Sequence, residues 1–407
     1  MPTKTRYGVS PWIDQFPSSR RPSFPRLRGE HDVDVVIVGG GLTGCATALA
    51  CATAGLDTIL LEADRVGQGS SGHSSGLLLP EPGPMFREVA AQVGGRSARL
   101  AFEAWRRASL EAAAQLRRLK IRCALAPVST FTTTVRDGEK ALRKELDARI
   151  DGGVPATWLT NRQVGAAIGL ENAAAAIRMK DAFALDPYRA SAGLAAAAAA
   201  RGARLFEGTR VTKARFTRKD ATLLTAGATI KTRKVVVTTG SATTEYSQLR
   251  RHFSARETYL VMTEPLPAAM RKAIRGDLTF RDTHTPRRRV RWTEDGRLIV
   301  AGGDQDRPPD RLRPAVRIQR TGQLMYELLT MFPAISGLQP AYQWELPYGE
   351  TADGLMYIGP HRNYPHHLFA LGGTTDSVTG AFLAARLVTR AVQDASEKGD
   401  EVFGFTR

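Results

Sequence analysis

A mixed α/β fold is predicted by three features of this 407-residue sequence. It would interleave a Rossmann-like dinucleotide-binding domain with an antiparallel-sheet domain. The first feature is the β-branched run Val35–Val38, which enters the turn Gly39-Gly40-Gly41-Leu42-Thr43-Gly44 and leaves it through an alanine-rich segment. The second is Glu62, which ends the apolar stretch Thr58-Ile59-Leu60-Leu61. The third is that strand-then-helix patterning returns near 186–240 and again at the C-terminus, with segments of antiparallel character between.

Each part of the glycine turn has a physical task. Gly39 permits the tight turn, Gly41 lets backbone approach a pyrophosphate, and Gly44 lets helix and strand pack closely. The helix opening at Leu42 and Thr43 presents unpaired N–H groups and the positive end of its dipole to that anion. It should run to about Ala54, with Gly55 as its C-cap. The following stretch reads as a buried parallel strand, and the Glu62 carboxylate can accept from a pair of ribose hydroxyls.

Further along, residues 1–30 are rich in Pro, Ser and Arg and read as an arm packed on the body through Trp12 and Phe16. Arg65 to Gly76 is a long loop of small residues. Residues 85–120 read as helical, with Phe102, Trp105, Leu110 and Leu116 as apolar positions; 128–135 alternate as a strand, and 138–150 form a charged helix. Asp186-Pro187 opens a helix through Ala200. Strands are expected near 204–206, up to Gly240, and at 258–262, 289–292 and 298–301. A helix over 315–331 follows, then a strand at 368–373 and a helix at 380–392. The expected division is an arm at 1–30, a nucleotide-binding part at 31–84, 155–247 and 345–407, and a substrate-binding part at 85–154 and 248–344. A dehydrogenase using NAD more often keeps its nucleotide domain contiguous, so the interleaving favours FAD.

Composition sets further bounds. With 43% hydrophobic and 24% charged residues, the chain reads as globular, and no apolar run approaches the ~20 residues of a membrane span. Ser18 to Phe24 contains paired arginines, but Pro25-Arg26-Leu27-Arg28 follows in place of an apolar segment, so an export signal is not expected. Cys45, Cys51 and Cys123 have no metal spacing and read as small core residues, which fits a reducing cytoplasm; no metal is expected. The net charge of +17 gathers in 96–122 and in Arg287-Arg288-Arg289-Val290-Arg291, while 31–64 hold no Lys or Arg. No nucleic-acid-binding motif accompanies this charge, so it reads as a solvated arginine-rich surface.

Taken in order, these motifs resemble the D-amino-acid oxidase-like FAD oxidoreductases. That superfamily includes sarcosine, glycine and γ-glutamylputrescine oxidases and dimethylglycine dehydrogenase. The matching residues are Val35–Gly44 with Glu62, Gly67-Gln68-Gly69-Ser70-Ser71-Gly72, Asp186-Pro187, Val235–Gly240, Thr263-Glu264-Pro265-Leu266, Asp295-Gly296-Arg297-Leu298 with Gly302-Gly303, Asp353–Pro360, and the strand-loop-helix around Gly372–Gly380. They span about 32–395 and look most like the amine-oxidising branch. The resemblance implies a three-layer ββα nucleotide-binding domain and an extended FAD. Its pyrophosphate would lie at Gly39, Gly41, Leu42, Thr43 and Gly44, its ribose at Glu62 and its adenine near the backbone of Val211, with Gly240 alongside. The loops bearing Gly69, Ser70, Ser71 and His73 and bearing Gly372, Gly373, Thr374 and Gly380 would approach the isoalloxazine, where small residues leave room for a flat ring. His73 sits where dimethylglycine and sarcosine dehydrogenases bond a histidine covalently to the flavin, so the resemblance makes it a candidate for such a link.

The implied chemistry is oxidation of a C–N bond. A neutral amine passes hydride to flavin N5, and the imine hydrolyses. No general base needs to be assigned, because orientation and exclusion of water carry the step. Asp376 falls near the place where amino-acid-oxidising relatives hold a carboxylate with a cation, and the frequent Gly-His-Gly of that loop is missing. Both departures favour a cationic amine. Tyr259, Trp292, Tyr342, Trp344 and Tyr348 are aromatic candidates for the substrate face, Tyr259 and Trp344 foremost. Arg289 could bind a carboxylate but reads as surface. The expected partners are a small-molecule amine and either O2 or another acceptor. Two other classes stay open: an FAD enzyme acting on a modified tRNA nucleoside, and an electron-transferring flavoprotein subunit of a larger dehydrogenase.

Overall fold

The computed structural model describes residues 4–217, 219–274, 279–284, 286–375 and 378–407. Strand Gly29–Val38 is the spine of the nucleotide-binding part. It pairs in parallel with Thr58–Leu61 on one side and with Ala228–Gly240 on the other. Arg204–Phe206 extends the sheet beyond Thr58–Leu61, and His367–Leu371 extends it beyond Ala228–Gly240, both in parallel. Val35, Val36 and Ile37 are buried because both faces of this sheet are covered, which is why the strand reads as a continuous apolar run rather than an alternating one.

Helices Leu42–Thr53, Pro187–Ala200 and Val378–Val392 cover one face. Their Ala, Gly and Cys positions let the axes approach closely; a Cβ on Gly44 would lie 1.8 Å from the Gly39 carbonyl oxygen. Strands Val211–Phe216 and Ala221–Thr225 continue from Ala228–Gly240, and Val211 and Leu223 pack with Val36 and Ile59 on the opposite face. Helix, parallel sheet and β-layer together are the expected three-layer ββα arrangement.

The second sheet has ten strands among the described residues. Pro340–Glu350, Ser254–Thr263, Leu298–Asp306, Arg289–Trp292 and Thr279–Asp282 form its antiparallel centre, and Ala126–Thr134 and Ala175–Ala184 continue it. Helix Arg313–Met331 buries Leu324, Met325 and Leu328 against Tyr259, Val261, Val290, Leu298 and Val300 on one face. The other face carries Leu260, Met262, Ile299, Ala301, Tyr342, Trp344 and Leu346, which pack with Trp12 and Tyr188. That second face is turned toward the nucleotide-binding part.

Four expectations need correction. Strands Thr157–Thr160 and Ala175–Ala184, with all of Pro340–Glu350, pair in the second sheet, although the sequence division assigned 155–184 and 345–350 to the nucleotide-binding part. The helical stretch 85–120 is two helices, Phe86–Val93 and Gly95–Arg118, broken at Gly94 by its φ of +81°. Leu110 is exposed, while Phe102, Trp105 and Leu116 are core. The arginine cluster is not uniformly surface: Arg289 is mostly covered and Arg291 is 3% exposed. The arm behaves as expected in part, since Arg6–Tyr7 pairs with Pro340–Glu350 and Trp12 donates from Nε1 to Ser74 O at 2.9 Å. The three cysteines are buried thiols, and burial pushes Cys51 and Cys123 up to about 11. No helix among the described residues is long and apolar enough to cross a membrane, and none of their acidic, His or Cys groups cluster as a metal site.

Candidate functional site

A cavity of ≈ 840 Å³ runs between the two sheets from the glycine turn to the terminal loop. Its first end is built by Gly39, Gly41, Leu42 and Thr43. Gly39 adopts φ +110°, and the helix beginning at Leu42 has no side-chain cap. Glu62 Oε2 accepts from Gly40 N at 2.6 Å and Oε1 from Asp64 N at 2.8 Å, so the carboxylate is held at the strand end beside the turn. Glu62, Val211, Gly240 and Tyr246 line this end. Gly44 does not; it meets Gly39 O behind the turn.

The middle is formed by Gly69, Ser70, Ser71 and Ser74. Ser71 Oγ accepts from Leu42 N at 2.8 Å, tying the loop to the first helical turn. His73 lies in the same loop but not in the cavity wall. Its Nδ1 is 3.0 Å from Gly69 O, and its carbonyl accepts from Trp344 Nε1 at 2.8 Å. Gly372, Thr374, Thr375, Val378 and Ala381 close the far end. Gly373 and Gly380 stand behind it, packed against Met356: a Cβ on Gly380 would lie 2.4 Å from Met356 Sδ.

A second cavity, ≈ 670 Å³, opens from that far end and shares Phe253, Tyr348, Thr374 and Thr375 with the first. Its walls carry both signs of charge, with Arg256, Arg281, Arg287 and Arg289 facing Glu88, Asp304 and Glu350. Arg281 reaches Gly83 O at 2.5 Å and pairs with Glu81 at 3.0 Å; Arg287 pairs with Glu88, and Arg289 stands 3.7 Å from Asp304. Burial, then the carboxylates of Asp304 and Glu350, push the Tyr348 phenol well above its usual range, so it enters neutral chemistry as a hydroxyl.

Of the five aromatic candidates, Tyr348 alone lines these cavities. Tyr259 is fully buried on the opposite face of the sheet, with its hydroxyl 3.0 Å from Glu257 Oε2. Trp292 packs on that same face. Trp344 is buried beneath the loop at His73, and Tyr342 donates to Asp14 of the arm at 2.8 Å. Tyr259 and Trp344 thus line neither cavity. Asp376 lies outside the described residues.

The turn, the acid at the strand end, and the small-residue loops at the middle and far end fit an extended dinucleotide that carries a flat ring. A Cβ on Gly41 would meet Ser71 Oγ at 2.9 Å and disturb its bond to Leu42 N. The model for FAD dependent oxidoreductases matches residues 34–391, nearly the whole chain. The chain belongs to this family. It is an FAD-dependent oxidoreductase, and FAD is its cofactor.

Among curated relatives, γ-glutamylputrescine oxidoreductase of Escherichia coli K12 is 25% identical over 385 residues, covering 93% of this chain and 87% of that one. A probable oxidoreductase OrdL of Haemophilus influenzae is 24% identical, covering 92% and 86%. Among solved structures, glycine oxidase from Geobacillus kaustophilus aligns with a TM-score of 0.77 at 22% identity over 93% of this chain and 99% of that one. L-proline dehydrogenase from P. horikoshii gives 0.73 at 18% identity over 92% and 97%. At these identities the structural matches speak to fold.

Proposed function

We propose that this oxidoreductase oxidises the C–N bond of an amine or N-substituted amino acid, and that the second cavity is its substrate chamber. The observation that carries the reading is the junction at Tyr348, Thr374 and Thr375, where a mixed-charge chamber opens onto the groove at the end farthest from the glycine turn. The names of the relatives, a γ-glutamylputrescine oxidoreductase and a glycine oxidase, point the same way.

FAD, held by Gly39, Gly41, Leu42, Thr43 and Glu62, would supply a two-electron acceptor for the hydride of the substrate α-carbon. The chain's own work is positioning. The loop at Gly69–Ser74, tied down by Ser71 Oγ and Ser70 Oγ, and the terminal loop at Gly372–Thr375 present small residues to the groove, which lets substrate and ring meet without bulky side chains between them. Tyr348 offers a hydroxyl at the junction of the two cavities. The product is a C=N bond that hydrolyses after release. Paired arginines and carboxylates in one chamber suit a substrate bearing both a basic nitrogen and an acidic group, which favours an N-substituted amino acid over a plain amine.

An anaerobic bleaching screen against N-methyl amino acids, D-amino acids, small amines and polyamines tests this. Rapid bleaching by one of these groups is expected, and its absence with every amine tried would refute the reading.

A further inference from the structure

We infer that Arg291 is a positioning residue that sets the electron affinity of the bound flavin from behind the Gly67–Gly76 loop. This rests on the groove being the FAD site. Arg291 lies on strand Arg289–Trp292 opposite Ile299, on the face turned toward the nucleotide-binding part. It is 3% exposed, and no carboxylate pairs with it among the described residues. Nη2 donates to Leu185 O at 3.2 Å, the guanidinium stands 5.2 Å from the Trp12 ring, and Nε is buried without a hydrogen-bond partner. Asp186 is the acid whose field reaches it, but that carboxylate is taken up by Arg189 and by capping the helix at Arg189 N.

A buried cation without a counter-ion is costly, and a bare structural explanation is weak here. Leu185 O needs only a neutral donor, and Trp12 would pack as well on an apolar chain. Burial lowers the Arg291 pKa only to about 10, so the charge persists at neutral pH. What the charge faces is the loop. Nη2 is 3.2 Å from where a Cβ of Gly76 would stand, so the glycine admits the guanidinium directly against the loop backbone. Gly76 O in turn accepts from Leu185 N at 2.9 Å, which fixes the three groups together. Ser74, two residues back along the chain, lines the groove. Two residues span at most about 7 Å, which puts the guanidinium within about 10 Å of the groove wall.

Reduction adds negative charge to the flavin, and a fixed cation at that range favours it. With an effective dielectric of about 20, the Coulomb term at about 10 Å is worth about tenfold in an equilibrium constant. For a two-electron couple, tenfold corresponds to about 30 mV. The charge also favours binding of sulfite to the oxidised flavin, because that too delivers an anion.

The test uses the purified holoprotein and three variants, Arg291→Met, Arg291→Gln and Arg291→Lys. The readouts are the flavin midpoint potential by dye equilibration, the sulfite Kd by bleaching, and thermal stability. The neutral variants should lower the potential by about 30 mV and weaken sulfite about tenfold, while Arg291→Lys retains most of both. Should Arg291→Met not fold, Arg291→Gln, which keeps a donor for Leu185 O, carries the measurement. A neutral variant with altered melting but unchanged potential and sulfite Kd would make Arg291 merely structural and overturn the proposal. A purified chain that retains no FAD would instead overturn the groove assignment.

Discussion

Replacing Arg149 by Met should unfold this protein at markedly lower denaturant, although no loop of the groove contains it. Arg149 is fully buried and pairs at 2.7 Å with both Glu81 Oε2 and Glu145 Oε1. Those carboxylates have other tasks. Glu145 accepts from Phe86 N and Arg87 N at the start of a helix, and Glu81 holds Arg281 in the wall of the second cavity. Without Arg149, two buried carboxylates face the one cation Arg281. Leaving one buried charge uncompensated costs about 3–5 kcal/mol, whereas the lost van der Waals contact is small because Met retains most of the stem. Urea unfolding monitored by circular dichroism would report the change as a shifted midpoint at unchanged slope. The double variant Glu145→Gln, Arg149→Met removes the excess charge, while the amide oxygen it introduces can still accept from Phe86 N. It should recover more than about 1 kcal/mol relative to additivity. A single variant losing less than about 1 kcal/mol, or a double variant that is additive, would refute the charge-balance argument.

Three further outcomes are expected. Gly44→Ala places a Cβ 1.8 Å from Gly39 O, so the turn must deform; retained FAD after gel filtration should fall sharply, and a fully loaded variant would contradict the packing role. His367, 1% exposed, has its pKa lowered by burial, so the unfolded chain binds more protons below about pH 6.5. Stability is therefore complete above that pH and is lost as pH falls through the folded-state value. His367→Phe, set among Tyr246, Tyr364 and Phe369, should show a flatter decline of Tm between pH 7 and 5 than the natural protein, and parallel curves would remove His367 as the cause. Because the His73 ring turns to Gly69 O and stays outside the groove wall, acid-precipitated and washed protein should lose its yellow colour; retained colour would establish a covalent flavin.

Much of the nucleotide-binding part was legible because its signals are local. Val35–Val38, Gly39–Gly44 and Thr58–Glu62 each specify their own conformation, and the sheet joins them in parallel in the expected order. The terminal strand and its loop are local in the same sense. The substrate side was less legible. Strand Ser254–Thr263 is buried on both faces from Glu257 onward, so no polar alternation reveals which way Tyr259 points. A register shift between Glu257 and Tyr259 further uncouples face from sequence position. Tyr259 was therefore placed ahead of Tyr348, and only the sheet showed which of them lines the cavities. Arginine clustering suggested solvent for the same reason, since the residues that cover Arg289 and Arg291 are remote in sequence.

By itself, then, the sequence determined the cofactor class, the family and the order of the elements that cradle the dinucleotide. The order of those elements follows from short-range backbone demands that glycine, β-branched residues and a terminal acid meet. The family rests on the ordered motifs along the chain, and the interleaved layout favoured FAD over NAD. Only the tertiary structure decided which side chains line the two cavities. It set Tyr348 in the cavity walls and Tyr259 on the other face of the sheet, and buried Arg291 behind the Gly67–Gly76 loop. Facing and burial are set by contacts between segments hundreds of residues apart, and no local pattern records them.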